Sequence, residues 1–422
     1  MENDKLYFFK GSENVLNKAK QDSNVETPTD TIREAFSKIL DGKNLSFLLG
    51  SGCSSLKVPV GEDQILVEIG IPTMVQLAND FYNEILPESD SDWLKAAIGL
   101  DIGNDNFNTN IESFLGSLHS LYYFYESTGQ TESENAGKVS AIIKLARNFL
   151  ILKCLNESNS LSGVDLPLLD LYKSFYRKLL FRSSNLAKPN IFTTNYDLYS
   201  ETALDKLGIY YVNGFSGGIK KYFNPTIFNY ALAEKMDLSQ SKWSVIDNFI
   251  YLYKVHGSLN WVQADNEKLF KVREIQETTY TNLVGENVIM IHPTPLKQNA
   301  SLGSPYSDLF REFQKKLMQN NNVLVSIGYS FSDEHINNLI YQAFTIPSFR
   351  LIVLGEPKPG SEIEKLKLLD DPRIWVIGGT LDDGSKLHYF KGFVNYILPD
   401  LTNDQIDKTI ENTLKKMFKA DE

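Results

Sequence analysis

Short apolar runs that end in glycine or polar residues alternate with amphipathic segments in the second half of the chain, and this alternation constrains the fold most strongly. Such runs occur in PNIFTTNYD, FIYLYKVHG, NVIMIHPT, NVLVSIGYS, FRLIVLGE and RIWVIGG. Segments with helical periodicity, such as DLFREFQKKLMQ and DEHINNLIYQAF, lie between several of them. Strands that alternate with helices favour a largely parallel sheet with helices on both faces. Ligands bind such sheets beyond the carboxyl ends of the strands, where the polar residues of these runs lie.

The pattern along the chain predicts five segments. Residues 74–183 contain long stretches with apolar residues at three-to-four spacing, which predict a helical insertion module. Residues 30–73 and 184–400 together carry the strand and helix signals of one α/β domain. Residues 1–29 are polar apart from LYFF and are interpreted as an N-terminal arm that another subunit would order. Residues 401–422 predict a C-terminal surface helix.

Composition excludes several classes of protein. The 422 residues include 42 Lys plus Arg and 53 Asp plus Glu, so the formal net charge is −11. An acidic chain lacks the overall positive charge of a nucleic-acid-binding protein, and we expect any contact with DNA to come from a partner. The N-terminus lacks the apolar segment of a signal peptide, and no apolar run approaches the roughly 20 residues that span a bilayer. We therefore expect a cytoplasmic protein that does not enter a membrane.

The cysteine content argues against a structural metal centre. The chain has only two cysteines, Cys53 and Cys154. Two thiols cannot build a four-thiolate zinc site, and so few cysteines are typical of a reduced intracellular protein. We expect no zinc module and no other bound metal.

The loop GSGCSS follows the apolar run LSFLL and is a candidate phosphate-binding loop. Two glycines after a strand let the backbone approach a phosphate, which N–H groups and a helix N-terminus can neutralise. The loop has no Gly-Lys-Ser/Thr and no third glycine of the GxGxxG pattern, so a plain tight turn remains an alternative. In that alternative Cys53 is a small residue in a cramped loop. The residues predicted to hold a pyrophosphate are Gly50, Ser51, Gly52 and Ser54.

The segment TTNYD presents two hydroxyls, an amide and a carboxylate after an apolar run. The carboxamide of Asn195 can donate and accept hydrogen bonds, which suits a sugar hydroxyl or a water molecule. Asp197 could orient a neighbouring side chain or accept a hydrogen bond from a ribose, and Thr194 is predicted to contact the same ligand. Capping of the following helix is the alternative, but it requires only one such residue and leaves the hydroxyl pair unexplained.

His256, in the segment KVHGS, is the candidate general base. An imidazole has an unperturbed pKa near 6.5 and can accept a proton at neutral pH. His256 ends an apolar run and precedes glycine. The other four histidines favour structural roles, since His119 and His335 lie in helical patterns, His388 lies beside aromatic residues and His292 precedes proline.

Two further strand ends carry candidate ligand-binding residues. In SIGYSFSDEHI, Gly328, Tyr329 and Ser330 are predicted to line a phosphate or ribose contact, while Asp333 is interpreted as the cap of the next helix. In LIVLGE, Glu356 is a candidate partner of ribose hydroxyls, as acidic residues after strands often are in dinucleotide-binding folds. A solvated side chain at the strand end is the alternative for Glu356.

Taken in order, GSGCS, TTNYD, KVHGS and GYSFSD resemble motifs of the sirtuin (silent information regulator) family. In that family a GAGxS loop grips NAD, an Asn- and Asp-containing segment holds the nicotinamide ribose, and the histidine of an HG pair does chemistry. The resemblance covers about residues 45–60 and 188–380, and it implies a Rossmann-like domain with NAD as substrate. The matching residues are Gly50, Gly52, Ser54, Asn195, Asp197, His256, Gly328 and Ser330, with Ser51 replacing an alanine.

The departures from that family refine the expected activity. Protein-deacylating sirtuins generally carry a four-cysteine zinc module, which this chain cannot build. TTNYD and GYSFSDEHI are instead similar to the sirtuin-like domains of bacterial antiviral defence, which destroy NAD. The chain also resembles the compact sirtuin-like subunits encoded beside a HerA-type hexameric ATPase. The resemblance thus implies an NAD hydrolase that forms a homo-oligomer and acts with such an ATPase partner in antiviral NAD depletion.

The expected reaction is cleavage of the bond between nicotinamide and ribose, which yields nicotinamide and ADP-ribose. Asn195 is predicted to hold the water or ribose, His256 to act as base and Asp197 to orient this pair. Two alternatives remain open. An NAD-dependent protein deacylase would require an acyl-lysine peptide, and a non-catalytic sensor would bind NAD or ADP-ribose without turnover.

Overall fold

A computed structural model of the chain places a nine-stranded, mostly parallel sheet at the centre of the molecule. The structure describes residues 6–19, 27–60, 65–158, 166–180, 182, 185–236, 242–264, 271–276, 278–286, 288–290 and 304–399. The C-terminal helix predicted for residues 401–422 lies outside the described residues, as does His292.

Apolar and β-branched residues form most of the strands, and the amphipathic segments form the longer helices. The described strands are β1 (Leu6–Lys10), β2 (Glu13–Asn14), β3 (Asn44–Leu49), β4 (Ser55–Val60), β5 (Ile65–Gly70), β6 (Asn190–Thr193), β7 (Tyr210–Val212), β8 (Phe215–Ser216), β9 (Lys221–Phe223), β10 (Ala233–Met236), β11 (Lys242–Val245), β12 (Phe249–Lys254), β13 (Gly257–Gln263), β14 (Val272–Glu274), β15 (Val288–Met290), β16 (Asn322–Ile327), β17 (Arg350–Leu354) and β18 (Ile374–Gly379).

The described helices are α1 (Val15–Ala19), α2 (Pro28–Leu40), α3 (Met74–Asp80), α4 (Glu88–Trp93), α5 (Ile111–Ser127), α6 (Glu134–Ser158), α7 (Leu166–Leu180), α8 (Tyr199–Leu207), α9 (Tyr280–Val284), α10 (Tyr306–Leu317), α11 (Glu334–Ala343), α12 (Glu362–Leu368) and α13 (Phe390–Gly392). The π-helical turns Phe81–Ile85, Leu94–Ile98 and Phe393–Ile397 continue α3, α4 and α13.

The central sheet has the strand order β2-β1-β18-β17-β16-β3-β6-β12-β7. Neighbouring strands from β18 to β7 run parallel, whereas β1 and β2 are antiparallel at one edge. From β3 the chain proceeds to β6 and β12 on one side and then returns to β16 on the other. The strand order therefore reverses at β3, which is where open parallel sheets bind ligands.

The carboxyl ends of the four central strands are in register. Ile327 of β16 pairs with Leu49 of β3, and Leu49 pairs with Thr193 of β6. Thr193 in turn pairs with Lys254 of β12. The loops that follow these strands therefore begin at the same level of the sheet, so the residues of the four sequence motifs emerge side by side.

Two hydrophobic cores cover the two faces of the sheet. Successive residues of β3 point to opposite faces, so Phe47 and Leu49 enter one core and Leu48 enters the other. The first core contains buried residues of α2, α7, α8 and α13. The second contains buried residues of α10, α11 and α12 and of an antiparallel sheet with the order β15-β13-β14-β9-β8. The predicted fold, a mostly parallel Rossmann-like sheet with helices on both faces, is confirmed.

The helical segment at 74–183 contributes to more than one core. Residues of α3, α4, α5 and α6 form a core of their own, in which the Phe81 ring lies 6.2 Å from Phe114 and 5.5 Å from Phe149. The later part of α6 packs on β13 and α9 through Ile151 and Leu155. In contrast, α7 packs on the central sheet within the first core.

Part of the segment interpreted as an N-terminal arm is a strand of the central sheet. Residues 6–10 pair antiparallel with β18 of the same chain, and Phe8 is fully buried against Trp375 with ring centroids 5.2 Å apart. Alternation explains this packing, because Phe8 faces the first core while Tyr7 and Phe9 pack against the second. Another subunit is therefore not required to order these five residues.

Candidate active site

The four sequence motifs meet at one cavity of about 420 Å³ between the carboxyl edge of the sheet and the helical segment. This volume lies within the range of roughly 300–1,000 Å³ that is typical of small-molecule sites. The predicted site residues that line the cavity are Ser51, Gly52, Ser54, Thr194, Asn195, Asp197, His256 and Ser330. The predicted residues Gly50, Gly328 and Glu356 are not among its lining residues.

The hydroxyl of Thr193 stabilises the turn that follows β6. Thr193 Oγ1 donates a hydrogen bond to Leu49 O at 3.0 Å and accepts one from Asn195 N at 3.0 Å. The backbone N–H of Thr194 also donates to Leu49 O, at 3.1 Å. The first hydroxyl of the pair is therefore structural, whereas half-buried Thr194 lines the cavity.

The side chain of Asn195 is held by two hydrogen bonds to the loop that follows β3. Its Nδ2 donates to Gly50 O at 2.9 Å and to Ser54 Oγ at 2.7 Å. Both amide protons thus have protein acceptors, and the residue as a whole is only 8% exposed. The group that Asn195 can offer to a ligand is its Oδ1, which accepts hydrogen bonds from hydroxyls or water.

Asp197 connects the same loop to helix α8. Its Oδ2 accepts a hydrogen bond from Ser54 Oγ at 2.6 Å, and its Oδ1 accepts one from Tyr199 N at 3.1 Å. Asp197 thus contacts the first residue of α8 through one oxygen, although the N-cap position itself is Leu198, which makes no side-chain capping hydrogen bond. The expectation that Asp197 orients both Asn195 and His256 is not supported by this geometry, because it reaches Asn195 through Ser54 and another acid lies beside His256.

That acid is Asp333, which sequence reasoning assigned to helix capping alone. Asp333 Oδ2 lies 3.0 Å from Nε2 of His256, and the two side chains are 8% and 13% exposed. The capping role is also present, since Oδ1 accepts hydrogen bonds from His335 N at 2.9 Å and Ile336 N at 3.4 Å. One signal in the sequence pointed to this contact. Asp333 lies shortly after the end of β16, and β16 ends at the same level of the sheet as β12, which precedes His256.

The glycines of the two loops are explained first by backbone packing. A Cβ atom on Gly50 would lie 2.4 Å from Gly328 O, and one on Gly52 would lie 2.9 Å from Gly328 Cα. The N–H groups of Gly50 and Gly52 donate to Ile327 O and Gly328 O, both at 2.9 Å. Gly328 itself has φ of +63°, which favours glycine. These N–H groups therefore stabilise the loop itself. The residues of the loop that are both exposed and in contact with the cavity are Ser51 and Gly52.

Neither cysteine has the properties of a nucleophile. Cys53 is fully buried, and its Sγ donates to Ile327 O at 3.3 Å. Burial, followed by the nearby charge of Asp197, raises the pKa of this thiol well above its usual value. Burial is also the main cause that raises the pKa of Cys154, to about 12. Since the thiolate is the reactive form, both are packing residues at neutral pH.

A buried ion pair stabilises the backbone of the TTNYD loop. Lys254 Nζ lies 3.0 Å from Glu201 Oε1, and both side chains are almost inaccessible. The same ammonium donates hydrogen bonds to the backbone oxygens of Tyr196 and Asp197. Lys254 therefore holds the backbone on either side of the Asp197 side chain, which makes it a positioning residue for this loop.

The opposite wall of the cavity comes from the helical segment, which no sequence motif indicated. It includes the N-terminal turn of α5 with Asn110, Glu112 and Ser113, and apolar residues such as Leu77 and Leu150. Asn110 Oδ1 caps the helix by accepting from Ser113 N at 3.0 Å. These residues are far from the strand ends in the chain, so only the tertiary structure reveals their place at the cavity.

The cavity has a negative electrostatic character. Among the described residues that line it, the acidic side chains are Glu112, Asp197 and Asp333, and this described part of the lining includes no lysine or arginine. Burial raises the pKa of Tyr196 well above its usual value, and the charge of Glu112 adds to this effect. An environment of this kind favours a cationic group over an anionic one.

The remaining predicted residues lie away from the cavity. Exposed Glu356 lies 3.8 Å from Lys358 Nζ, and β17, which precedes it, is separated from β3 by β16. His388 is buried, and this burial lowers the pKa of its imidazole to about 4. His335, on α11, packs against Phe310 of α10, with ring centroids 4.5 Å apart. The ribose contact predicted for Glu356 therefore has no support from its position.

The described part of the chain shows neither a candidate metal cluster nor a helix that could span a membrane. In that part, no three or more His, Cys, Asp or Glu side chains are grouped to hold a metal ion. Across the same residues, none of the helices combines the length and the apolar character needed to cross a membrane.

Part of the chain matches a known protein family. Residues 189–377 match the SIR2-like domain, a span that contains TTNYD, KVHGS and GYSFSD but not the loop after β3. The match supports the sirtuin-like resemblance over these residues. SIR2-like domains use NAD and are typically NAD-dependent enzymes. No curated protein matches the chain.

Proposed function

We propose that this protein is an NAD hydrolase that cleaves the N-glycosidic bond of NAD and releases nicotinamide and ADP-ribose. The observation that carries the proposal is the convergence of Asn195 and His256 on one cavity at the point where the strand order reverses. These residues lie 61 positions apart in the chain (256 − 195) and are brought together by the paired ends of β6 and β12.

The chemistry of the reaction matches what such a cavity offers. Nicotinamide carries a positive charge in NAD and leaves as a neutral ring, so no general acid is required. Bond cleavage leaves an oxocarbenium-like centre on the ribose, which a water molecule attacks. The site must orient water and sugar and stabilise positive charge, and both effects depend on preorganised groups.

The distribution of charge supports one orientation of NAD in the cavity. The carboxylates of Glu112, Asp197 and Asp333 favour the cationic nicotinamide and the developing charge on the ribose. The pyrophosphate is anionic, and we place it toward the exposed residues Ser51 and Gly52 at the loop after β3. Ser330, whose hydroxyl donates to Ser332 Oγ at 3.0 Å, would contact the same half of the substrate.

Each central residue has a distinct role in the proposed reaction. Asn195 would accept a hydrogen bond from the ribose or the attacking water through Oδ1, because its amide protons are held by Gly50 and Ser54. His256 would take a proton from that water as the new C–O bond forms. Asp197 would hold Ser54 and so keep the amide of Asn195 in place.

The proposal extends to the biological role. Unrestrained hydrolysis of NAD would kill the cell that makes the enzyme, so we expect a regulated activity. The motifs TTNYD and GYSFSDEHI support a role in antiviral NAD depletion, in which the chain forms a homo-oligomer and is activated with a HerA-type ATPase. A cytoplasmic location agrees with NAD as the substrate.

Incubation of the purified protein with NAD in ¹⁸O-water tests the reaction. We expect nicotinamide in the same molar amount as ADP-ribose, with one ¹⁸O atom in the ADP-ribose, because water supplies the new oxygen. The assay is repeated with an acyl-lysine peptide and with any protein that co-purifies. Release that requires the peptide and yields O-acyl-ADP-ribose would contradict hydrolysis, as would binding of NAD by calorimetry with no turnover in any of these mixtures.

A further inference from the structure

We propose that Asp333 is a positioning residue for His256. In this proposal its Oδ2 accepts the Nε2–H of the imidazole and fixes the tautomer in which Nδ1 carries the lone pair. The inference rests on the proposed function, in which His256 acts as the base. It assigns a second role to a residue whose sequence context indicates only a helix cap.

The pair is a close, buried contact between a carboxylate and an imidazole. Asp333 Oδ2 lies 3.0 Å from His256 Nε2, with 8% and 13% of the two side chains exposed. Both residues line the cavity. A neutral imidazole donates through one nitrogen and accepts through the other, so a carboxylate beside Nε2 selects the form with the proton on Nε2.

The second oxygen of Asp333 keeps the carboxylate in place. Oδ1 accepts hydrogen bonds from the N–H groups of His335 and Ile336 at the start of α11, at 2.9 and 3.4 Å. The positive end of the helix dipole also favours a negative charge at this position. One oxygen is therefore anchored to the helix while the other lies beside the histidine.

The loop that carries Asp333 is itself fixed by α11. Tyr329 Oη donates to Asp333 O at 3.2 Å and contacts Asn337 Oδ1 at 3.0 Å. Asn337 Nδ2 donates to Phe331 O at 2.7 Å, although Phe331 has φ of +59°. These contacts maintain a left-handed backbone conformation that residues other than glycine rarely adopt, in the loop that brings Asp333 next to His256.

These contacts define the path of the proton. During attack on the ribose, the proton of the water moves to Nδ1 of His256 as the oxygen bonds to the sugar carbon. The electron pair of the broken C–N bond remains on nicotinamide. The imidazolium then has a carboxylate beside Nε2, which stabilises its charge, so Asp333 lowers the energy of the protonated histidine without touching the substrate.

Other titratable groups also face this cavity and must be distinguished from Asp333. They are the carboxyls of Glu112 and Asp197, the phenols of Tyr196 and Tyr329, and the thiol of Cys154. Burial, followed by the charge of Asp333, raises the pKa of Tyr329 well above its usual value, and burial also raises that of Cys154. The acids Glu112 and Asp197 therefore serve as separate controls in the titration.

The test compares the full-length protein with its Asp333→Asn variant. Asparagine caps helices about as well as aspartate, so α11 is retained while the charge beside the histidine is lost. Histidine signals are followed by NMR as a function of pH, and His256→Gln identifies the signal of His256. We expect the pKa of His256 to fall by roughly one unit or more in Asp333→Asn, because an adjacent carboxylate favours the charged imidazole. Glu112→Gln and Asp197→Asn are expected to produce smaller shifts.

Nicotinamide release is measured in the same samples. We expect a fall of roughly 10²-fold in Asp333→Asn and a shift of the acidic limb of the pH–rate profile to lower pH. Ser361→Ala, which removes the cap of α12 away from the cavity, is expected to change neither quantity. An unchanged histidine pKa or an unchanged rate in Asp333→Asn would overturn the proposal. A shifted pKa in a protein that never releases nicotinamide would refute the proposed hydrolysis but retain the contact.

Discussion

The centre and the flank of the carboxyl edge of the sheet carry similar residues but differ in what covers them. At the centre, the loops after β3, β6, β12 and β16 present Ser, Asn, Asp and His side chains to a cavity. At the flank, β17 and β18 also end in glycine and polar residues, with Glu356 and His388 nearby. There Tyr7 Oη donates to Gly355 O at 3.0 Å and His388 is buried, while Glu356 is exposed to solvent away from the cavity.

Packing explains the glycines of the flank. A Cβ atom on Gly378 would lie 2.5 Å from Tyr7 Oη and 2.7 Å from His388 Nδ1. Strand β1 and the segment that follows β18 therefore occupy the space above this edge. At the centre, the helical segment approaches only far enough to leave a cavity of about 420 Å³. Polar residues at strand ends thus become a candidate site only where the covering elements leave room for a ligand.

The largest expected effect on the rate of nicotinamide release comes from replacing His256 at the centre of the edge. His256→Ala should lower the rate of nicotinamide release by about 10²–10⁴-fold, since a positioned base contributes roughly that factor. The rate is measured by chromatography of nicotinamide at saturating NAD. His335→Ala, on the exposed side of α11, is the control and should retain the wild-type rate. Equal rates for wild type and His256→Ala would remove the base from the proposed reaction.

A second test breaks the support beneath the central loop. Lys254→Met should lower the free energy of unfolding by about 3–5 kcal/mol, because it leaves Glu201 buried without its cation. Urea titration followed by circular dichroism measures this change. In Lys254→Met combined with Glu201→Leu, most of the stability should return, while nicotinamide release stays low because the backbone of Tyr196 and Asp197 is no longer held. If release recovers together with stability, Lys254 has no positioning role.

The histidine of the flank should affect stability and not activity. Burial lowers the pKa of His388 to about 4, from an unperturbed 6.5, so its neutral form stabilises the fold. This contribution is fully present above pH 6.5 and is lost as the pH falls toward 4. The free energy of unfolding should therefore fall by up to about 1.4 kcal/mol per pH unit in this window because of His388. Urea titrations of His388→Gln should lack this component, and an identical pH dependence would contradict the packed flank.

A smaller effect is expected from the helical wall of the cavity. Glu112→Gln should raise the KM for NAD by about tenfold, which corresponds to about 1.4 kcal/mol of lost attraction for the cationic ring. Inhibition by ADP-ribose, which lacks that ring, should not weaken. Glu126→Gln removes the same charge from the far end of α5 and serves as the control. If the KM for NAD and the inhibition constant of ADP-ribose rise by the same factor, Glu112 does not interact specifically with the cationic ring.

The central edge of the sheet is predictable from the sequence because the relevant signals are local. Apolar runs followed by polar residues predicted the strands, and the ends of these strands are level because Leu49 pairs with both Ile327 and Thr193. The four motifs could therefore be assigned to one edge from their order along the chain. Glu356 is grouped with these candidates, because the sequence at the end of a flanking strand resembles that at the end of a central strand. Only the strand order of the sheet separates the two.

The remaining features depend on contacts between distant parts of the chain. The packing of Tyr7 against β18, the approach of Glu112 from α5 and the pairing of Asp333 with His256 have no local pattern. The glycines illustrate a second difficulty. Gly50 and Gly52 are required where two loops pack closely, and a phosphate would require the same absence of a side chain, so the residue type alone does not distinguish the two causes.

The most direct test of the central claim is the NAD content of cells during induced expression of wild type, Asn195→Ala and Glu356→Ala. The account predicts that wild type and Glu356→Ala deplete NAD at rates within about twofold of each other, whereas Asn195→Ala slows depletion by about 10²-fold or more. Equal depletion by Asn195→Ala and wild type, or a loss in Glu356→Ala as large as that in Asn195→Ala, would contradict a site at the centre of the sheet.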